Sequence, residues 1–149
     1  MASKTGYKTE RWGTSGNATQ NANQPLGTNV SVAGGAFAVI DGTTRNLKDA
    51  AGTLGSTDIC LGLIHTSKSS SNSPADTNAE IETGSFFLPF DVAPVQSNVG
   101  ATVYISGEQQ CSLTAAARPA AGVLVFIDPE GIQYGGGYAV ALGQLKGLP

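Results

Sequence analysis

Ala79-Glu80-Ile81-Glu82-Thr83-Gly84-Ser85-Phe86-Phe87-Leu88-Pro89 is the stretch whose pattern decides the fold. Ala79, Ile81 and Thr83 alternate with Glu80 and Glu82. That period of two is the signature of a strand with one face inward and the other toward water. Gly84 breaks the run, and Phe86 to Phe90 follows as an aromatic strand interrupted by Pro89. Two short strands divided by a glycine, with no helical period, predict β-structure.

The same signals continue on both sides. Upstream, Ile59 to His65 is a continuous apolar run of the buried-strand type, and serine-rich Thr66 to Thr77, with Pro74, reads as a flexible loop with its tip near Ser71. Val30 and Val32 alternate with polar residues, Gly34-Gly35 makes a turn, and Ala36 to Ile40 is closed by Asp41-Gly42, a hairpin-type signal. Downstream, Val103 and Ile105 oppose Thr102 and Tyr104, Gly107 to Gln110 turns, and Cys111 to Thr114 returns. Ala120 to Asp128 is the most apolar stretch and is predicted as a central strand. Asp128-Pro129-Glu130-Gly131 is a turn with Pro at its second position, and Tyr138 to Leu142 closes the domain. One helix is predicted, over Thr43 to Leu54, where Leu47, Ala50, Ala51 and Leu54 are spaced i, i+3, i+4, i+7. The sum is about nine strands, one short helix and no true repeat, which points to a barrel or sandwich.

Composition agrees. The 149 residues suit one domain of residues 28–149 behind a distinct N-terminal stretch. Charged residues make up 13%, against about 25% in an average soluble protein, and there are 20 glycines. Net charge is −3, and the eight Lys and Arg are scattered rather than gathered in the basic stripe of a nucleic-acid binder. No apolar run approaches a membrane span, and Met1 to Trp12 has no apolar core of a secretory signal, so the chain reads as made in the cytoplasm. Cys60 and Cys111 lie in apolar strand contexts; two buried free thiols and a disulfide between neighbouring strands both fit.

Residues 1–27 differ from the rest. Lys4 to Gly27 is rich in Thr, Asn, Gln and Gly, nearly free of aliphatics, and lacks the apolar surface to fold alone. It nevertheless carries Tyr7 and the single tryptophan, Trp12, among Lys4, Lys8 and Arg11. A disordered terminus and an arm that orders on a partner both account for it. In the second case Tyr7, Lys8, Arg11 and Trp12 form the partner-binding set, with the aromatics as anchors.

Catalytic signatures are missing. His65, the single histidine, ends an apolar strand without a Ser or Cys nucleophile motif beside it. Glu80 and Glu82, with Asp76 near, are the pattern of a metal or acid–base pair, and equally of a half-solvated strand, which is the simpler account. Gly135-Gly136-Gly137 precedes no helical pattern, so a turn or bulge fits better than a phosphate cradle. Tyr104, Tyr134 and Tyr138 are spread through strands, as packed or interfacial rings are. The chain is therefore expected not to be an enzyme and to need no metal or cofactor.

The order of these elements resembles a known family. Ile59-Cys60-Leu61-Gly62-Leu63-Ile64 precedes the loop and the quoted stretch; then come Asn98-Val99-Gly100-Ala101-Thr102-Val103-Tyr104-Ile105, Ala121-Gly122-Val123-Leu124-Val125-Phe126-Ile127 and Tyr138-Ala139-Val140-Ala141-Leu142. Over residues 28–143 this is similar to the small decoration, or cement, proteins of tailed-bacteriophage heads. The resemblance implies a β-tulip-like barrel, a homotrimer on the outer surface of the icosahedral capsid, the major capsid protein as partner, and bracing of the expanded shell. It also implies an N-terminal arm lying on the coat protein, and it carries over no catalytic residues. The long polar arm and the Ser-rich loop depart from the family's compact pattern. A trimeric β-domain of a tail or fibre and a surface carbohydrate-binding β-sandwich are the competing readings.

Overall fold

The computed structural model describes residues 4–12 and 22–142, and the chain is all-β. Its strands are β1 Ala22–Pro25, β2 Ser31–Val32, β3 Phe37–Ile40, β4 Leu47–Lys48, β5 Ile59–Ile64, β6 Lys68–Ser69 and β7 Asn78–Glu82. They continue with β8 Gly84–Phe87, β9 Thr102–Gly107, β10 Gln110–Ser112, β11 Ala120–Ile127 and β12 Tyr138–Leu142. Two five-stranded antiparallel sheets result, β1-β7-β5-β3-β4 and β10-β9-β11-β12-β8, with β2 and β6 pairing apart. The stretch that opened the sequence reading is where the chain changes sheet. β7 ends at Glu82, β8 begins at Gly84, and only Thr83 lies between. Gly84, at φ 126°, takes the bend that a side chain would strain.

Two cores follow from this arrangement. The larger sits between the sheets and joins Phe37, Val39 and Leu63 of the first to Phe86, Val103 and Leu124 of the second. The smaller lies on the other face of the first sheet, around Ala38, Ile40, Leu47, Ile64 and Ile81. Strand β3 feeds both, Phe37 and Val39 into one and Ala38 and Ile40 into the other. A strand buried on both faces has no reason to alternate, which explains the unbroken apolar run there.

The first sheet curls round the smaller core until its ends meet. Leu26 N–H donates to Thr77 O, just before β7, at 2.9 Å. On its other side Leu26 bridges Leu47 of β4, and Gly27 N–H donates to Leu47 O at 3.0 Å. The approach to a barrel is therefore made by one bridge at residues 26–27, not by a full ladder.

The helix expected over 43–54 does not form, and burial explains why. Leu47 enters the smaller core while Ala50 and Leu54 meet the larger, and Ala51 is exposed. A helix would put all four on one face. Asp41 Oδ1 also accepts the Thr43 and Thr44 N–H groups at 2.8 and 2.9 Å, which favours a turn over a helical start. Short 3-10 turns occur instead at Gln96–Asn98 and Tyr134–Gly136. The Ser-rich loop is tied down: β6 pairs with β2, and Ser69 N–H donates to Asp76 Oδ2 at 2.8 Å. Cys60 and Cys111 are free thiols buried in the larger core; burial pushes Cys60 up to about 12 and Cys111 well above its ordinary value.

Candidate functional site

Residues 4–12 form a strip laid across the body, and backbone hydrogen bonds set its course. Tyr7 N–H donates to Gly34 O at 2.6 Å. Farther on, Phe87 N–H donates to Glu10 O at 2.8 Å and Trp12 N–H to Ser85 O at 2.9 Å, with Arg11 opposite Phe86. Glu10 to Trp12 thus add a short rung outside β8, as β1 does outside β7. Both open edges beside the sheet-crossing bend are covered by the same N-terminal stretch, which blocks stray strand pairing there. Gly35, at φ 83°, lets the strip approach, since a Cβ on it would stand 2.5 Å from Tyr7 O.

Side chains then pin the strip. Gln109 is 5% exposed. Its Nε2 donates to Lys8 O at 2.7 Å and Gly35 O at 2.9 Å, and its Oε1 accepts the Tyr134 hydroxyl at 2.5 Å. One buried amide is thereby satisfied by the strip, the body and a phenol together. Tyr134 N–H donates to Glu10 Oε1 at 2.9 Å, and the Lys8 ammonium lies 5.3 Å from the Tyr134 ring centre. Burial pushes the Tyr134 phenol above its usual value.

At the start of the strip Lys4 Nζ stands 2.7 Å from carboxylate oxygens of both Asp49 and Glu108. Burial pulls the Lys4 ammonium down, but the bonds to the two carboxylates outweigh it and leave the value raised. Tyr7 Oη donates to Glu108 Oε1 at 2.7 Å, and this bond, helped by burial, raises the phenol too. At the other end the Arg11 guanidinium lies 4.7 Å over the Phe86 ring, with Nη2 3.8 Å from Glu82 Oε1. Trp12 stacks on Phe126 at 5.3 Å and 16°. Tyr7 and Trp12 remain 41% and 38% exposed.

Tyr7, Lys8, Arg11 and Trp12 therefore lie in one strip, as the sequence reading grouped them. The receiving half of the site was not legible. Gln109 and Glu108 sit in what reads as a polar turn, and no local pattern marks a turn glutamine whose amide faces inward. Tyr134 and Phe126 belong to other segments altogether.

The remaining chemistry-bearing residues do other work. His65 Nδ1 pairs with Glu82 Oε2 at the surface. Asp76 caps its own loop through Ser69, away from the Glu80–Glu82 strand. Among the described residues no three His, Cys, Asp or Glu side chains stand close enough to hold a metal ion, and no helix is long and apolar enough to cross a membrane. A surface cleft of about 410 Å³ beside Ile59 and Ala120 contains Asp58, whose carboxylate is taken by Gly42 N–H, Gly55 N–H and Lys48. Burial pushes the Asp58 carboxyl up, and those three donors more than reverse it, so the value is lowered. No known protein family, characterised protein or solved structure matches the chain.

Proposed function

We propose that the chain is a structural virion protein, a decoration or cement protein that binds the outer surface of an icosahedral phage head as a trimer and stabilises the expanded shell. The observation that carries this reading is the strip: two exposed aromatic residues, beside Lys8 and Arg11, laid along a two-sheet body by hydrogen bonds and a ring stack. Such rings supply contact area at low cost in side-chain freedom, and a clamp asks for area and rigidity, not for an activated side chain. The resemblance of the order of strands and glycines to that of head decoration proteins supports the same reading. Tyr7 and Trp12 are the anchors toward the major capsid protein, with Lys8 and Arg11 beside them.

The test is co-sedimentation of the purified protein with expanded heads assembled from the coat protein encoded beside it. Full-length chain, Trp12→Ala and a chain lacking residues 1–12 are compared. Saturable binding that raises the heads' thermal stability, and that weakens in the two variants, is expected. Absence of binding by the full-length chain overturns the reading and moves the tail-associated and glycan-binding roles forward.

A further inference from the structure

We infer that the groove holding residues 4–12 is a strand acceptor whose alternative occupant is the same strip of a second copy of this chain. Neither hydrophobic core contains a residue of the strip, although Arg11 lies over Phe86 of the larger one, so the strip can leave without withdrawing a core side chain. Vacating the groove costs bonds. Without a strand it would leave Gly34 O, Ser85 O and Phe87 N–H without the strip as partner, and the buried Gln109 amide would lose its bond to Lys8 O. A strand restores these bonds in a fixed geometry that water does not reproduce, which favours refilling a vacated groove.

The groove is also matched to one sequence. Gly35 clears the Tyr7 carbonyl, and Gly84 leaves room for the Arg11 guanidinium, which a Cβ there would overlap. Asp49 and Glu108 receive the Lys4 ammonium, and Phe126 receives Trp12. The strip of a neighbouring copy satisfies every one of these groups identically, so the cis and trans forms differ only in the connection. Nine residues, 13–21, join Trp12 to β1. Their greatest contour is about 30 Å, which sets the reach of a donated strip. Exchange of identical elements is a low-cost route to oligomers, and head-to-tail donation closes a ring when the rotation permits. Crowding of copies on a surface raises the local concentration of donors and favours the trans form.

The inference stands whether or not the protein binds a shell, and it is tested on the full chain free in solution. Tyr7→p-benzoylphenylalanine is prepared in heavy-isotope and unlabelled forms, since position 7 lies against Glu108. Equal amounts are mixed, concentrated, taken through one cycle of unfolding and refolding, and irradiated. Crosslinked peptides joining residues 4–12 to the turn at 107–110 are read by mass spectrometry. Exchange yields mixed-isotope pairs whose share rises with protein concentration toward about one half, the statistical value for random donors. Thr9→p-benzoylphenylalanine, at an exposed position of the same strip beside His65 to Ser67, repeats the reading with crosslinks to residues 64–67 if the first variant does not fold. Same-isotope pairs alone, at every concentration and after refolding, overturn the inference.

Discussion

The two ends of the polar N-terminal stretch share a composition and do opposite work. Lys4 to Trp12 lie on the outside, held by a glutamine amide, two carboxylates and aromatic faces, and place no side chain of their own in either core. Ala22 to Gly27 supply an edge strand to β7 and the single bridge to β4, and Leu26 packs against the smaller core. A polar segment is thus an arm or a structural strand according to the backbone partners it finds, not according to its residues. The segment expected as one arm of residues 1–27 has a surface part and a part built into the fold.

Deletion gives the largest separation of the two. Removing residues 1–27 takes away β1 and the bridge that closes the curled sheet. A loss of at least ~4 kcal/mol is expected, on the scale of a whole domain's stability. Removing residues 1–12 should cost about 1–2 kcal/mol and leave one cooperative transition. Urea denaturation followed by far-ultraviolet circular dichroism measures both. Equal losses for the two deletions would erase the distinction.

Paired glycine substitutions sharpen it at single positions. A Cβ at Gly62, where φ is 152°, would overlap Glu82 O between β5 and β7, so Gly62→Ala should cost the body about 3 kcal/mol. Gly35→Ala meets the strip instead and should lift it at about 1–2 kcal/mol. Thermal melts rank the two. Trypsin cleavage after Lys8 and Arg11 should accelerate with Gly35→Ala well below the melting temperature; unchanged cleavage would show that the strip is not held through Gly35.

Gln109→Leu removes the pin without changing the side chain's bulk much. Stability should fall by about 1–2 kcal/mol, since Lys8 O, Gly35 O and the Tyr134 hydroxyl each lose a partner. Hydrogen exchange should speed at Tyr7 and Trp12 and stay unchanged in β5 and β11. Uniform acceleration would place Gln109 in the body's stability rather than the strip's.

The smallest expected effect is a difference in pH response. Lys4 and Tyr7 both have raised folded values, so their contribution is complete below their unfolded values near 10 and is lost as pH rises through the folded ones. Asp58, lowered in the folded state, contributes above its unfolded value near 4 and loses that contribution as pH falls through the folded one. Trp12 fluorescence should therefore change in alkali before the far-ultraviolet signal does, while acid acts first on the corner held by Asp58. Simultaneous loss of both signals in alkali would break the comparison.

The longer strands were legible almost to the residue. Ile59 to His65 matches β5, Ala120 to Asp128 matches β11, and Tyr138 to Leu142 is β12. The turn at Asp128–Gly131 forms as its residues suggest, with Gly131 N–H donating to Asp128 O at 3.0 Å. The two-residue strands β4 and β6 were not legible, because two residues carry no period, whereas β2 falls on the Val30 and Val32 alternation. Nor was β1, whose Ala-Asn-Gln-Pro has no apolar face and pairs through its main chain. In the candidate site the donor side was visible, since aromatics stand out in a polar stretch. The acceptor side was not, since Gln109, Tyr134 and Phe126 converge only after folding.

What the sequence by itself determined is the all-β character, the position of each long strand and the turns between them. Alternation, apolar runs and turn residues act over a few positions, and the chain carries them openly. Only the tertiary structure decided that one sheet curls until Leu26 meets Leu47, that the chain changes sheets at Gly84, and that two pieces of one polar stretch cover two different edges. The physical reason is that edge pairing uses the N–H and C=O groups common to nearly every residue. Which strand finds which edge is settled by the whole packed fold, and side-chain pattern leaves it open.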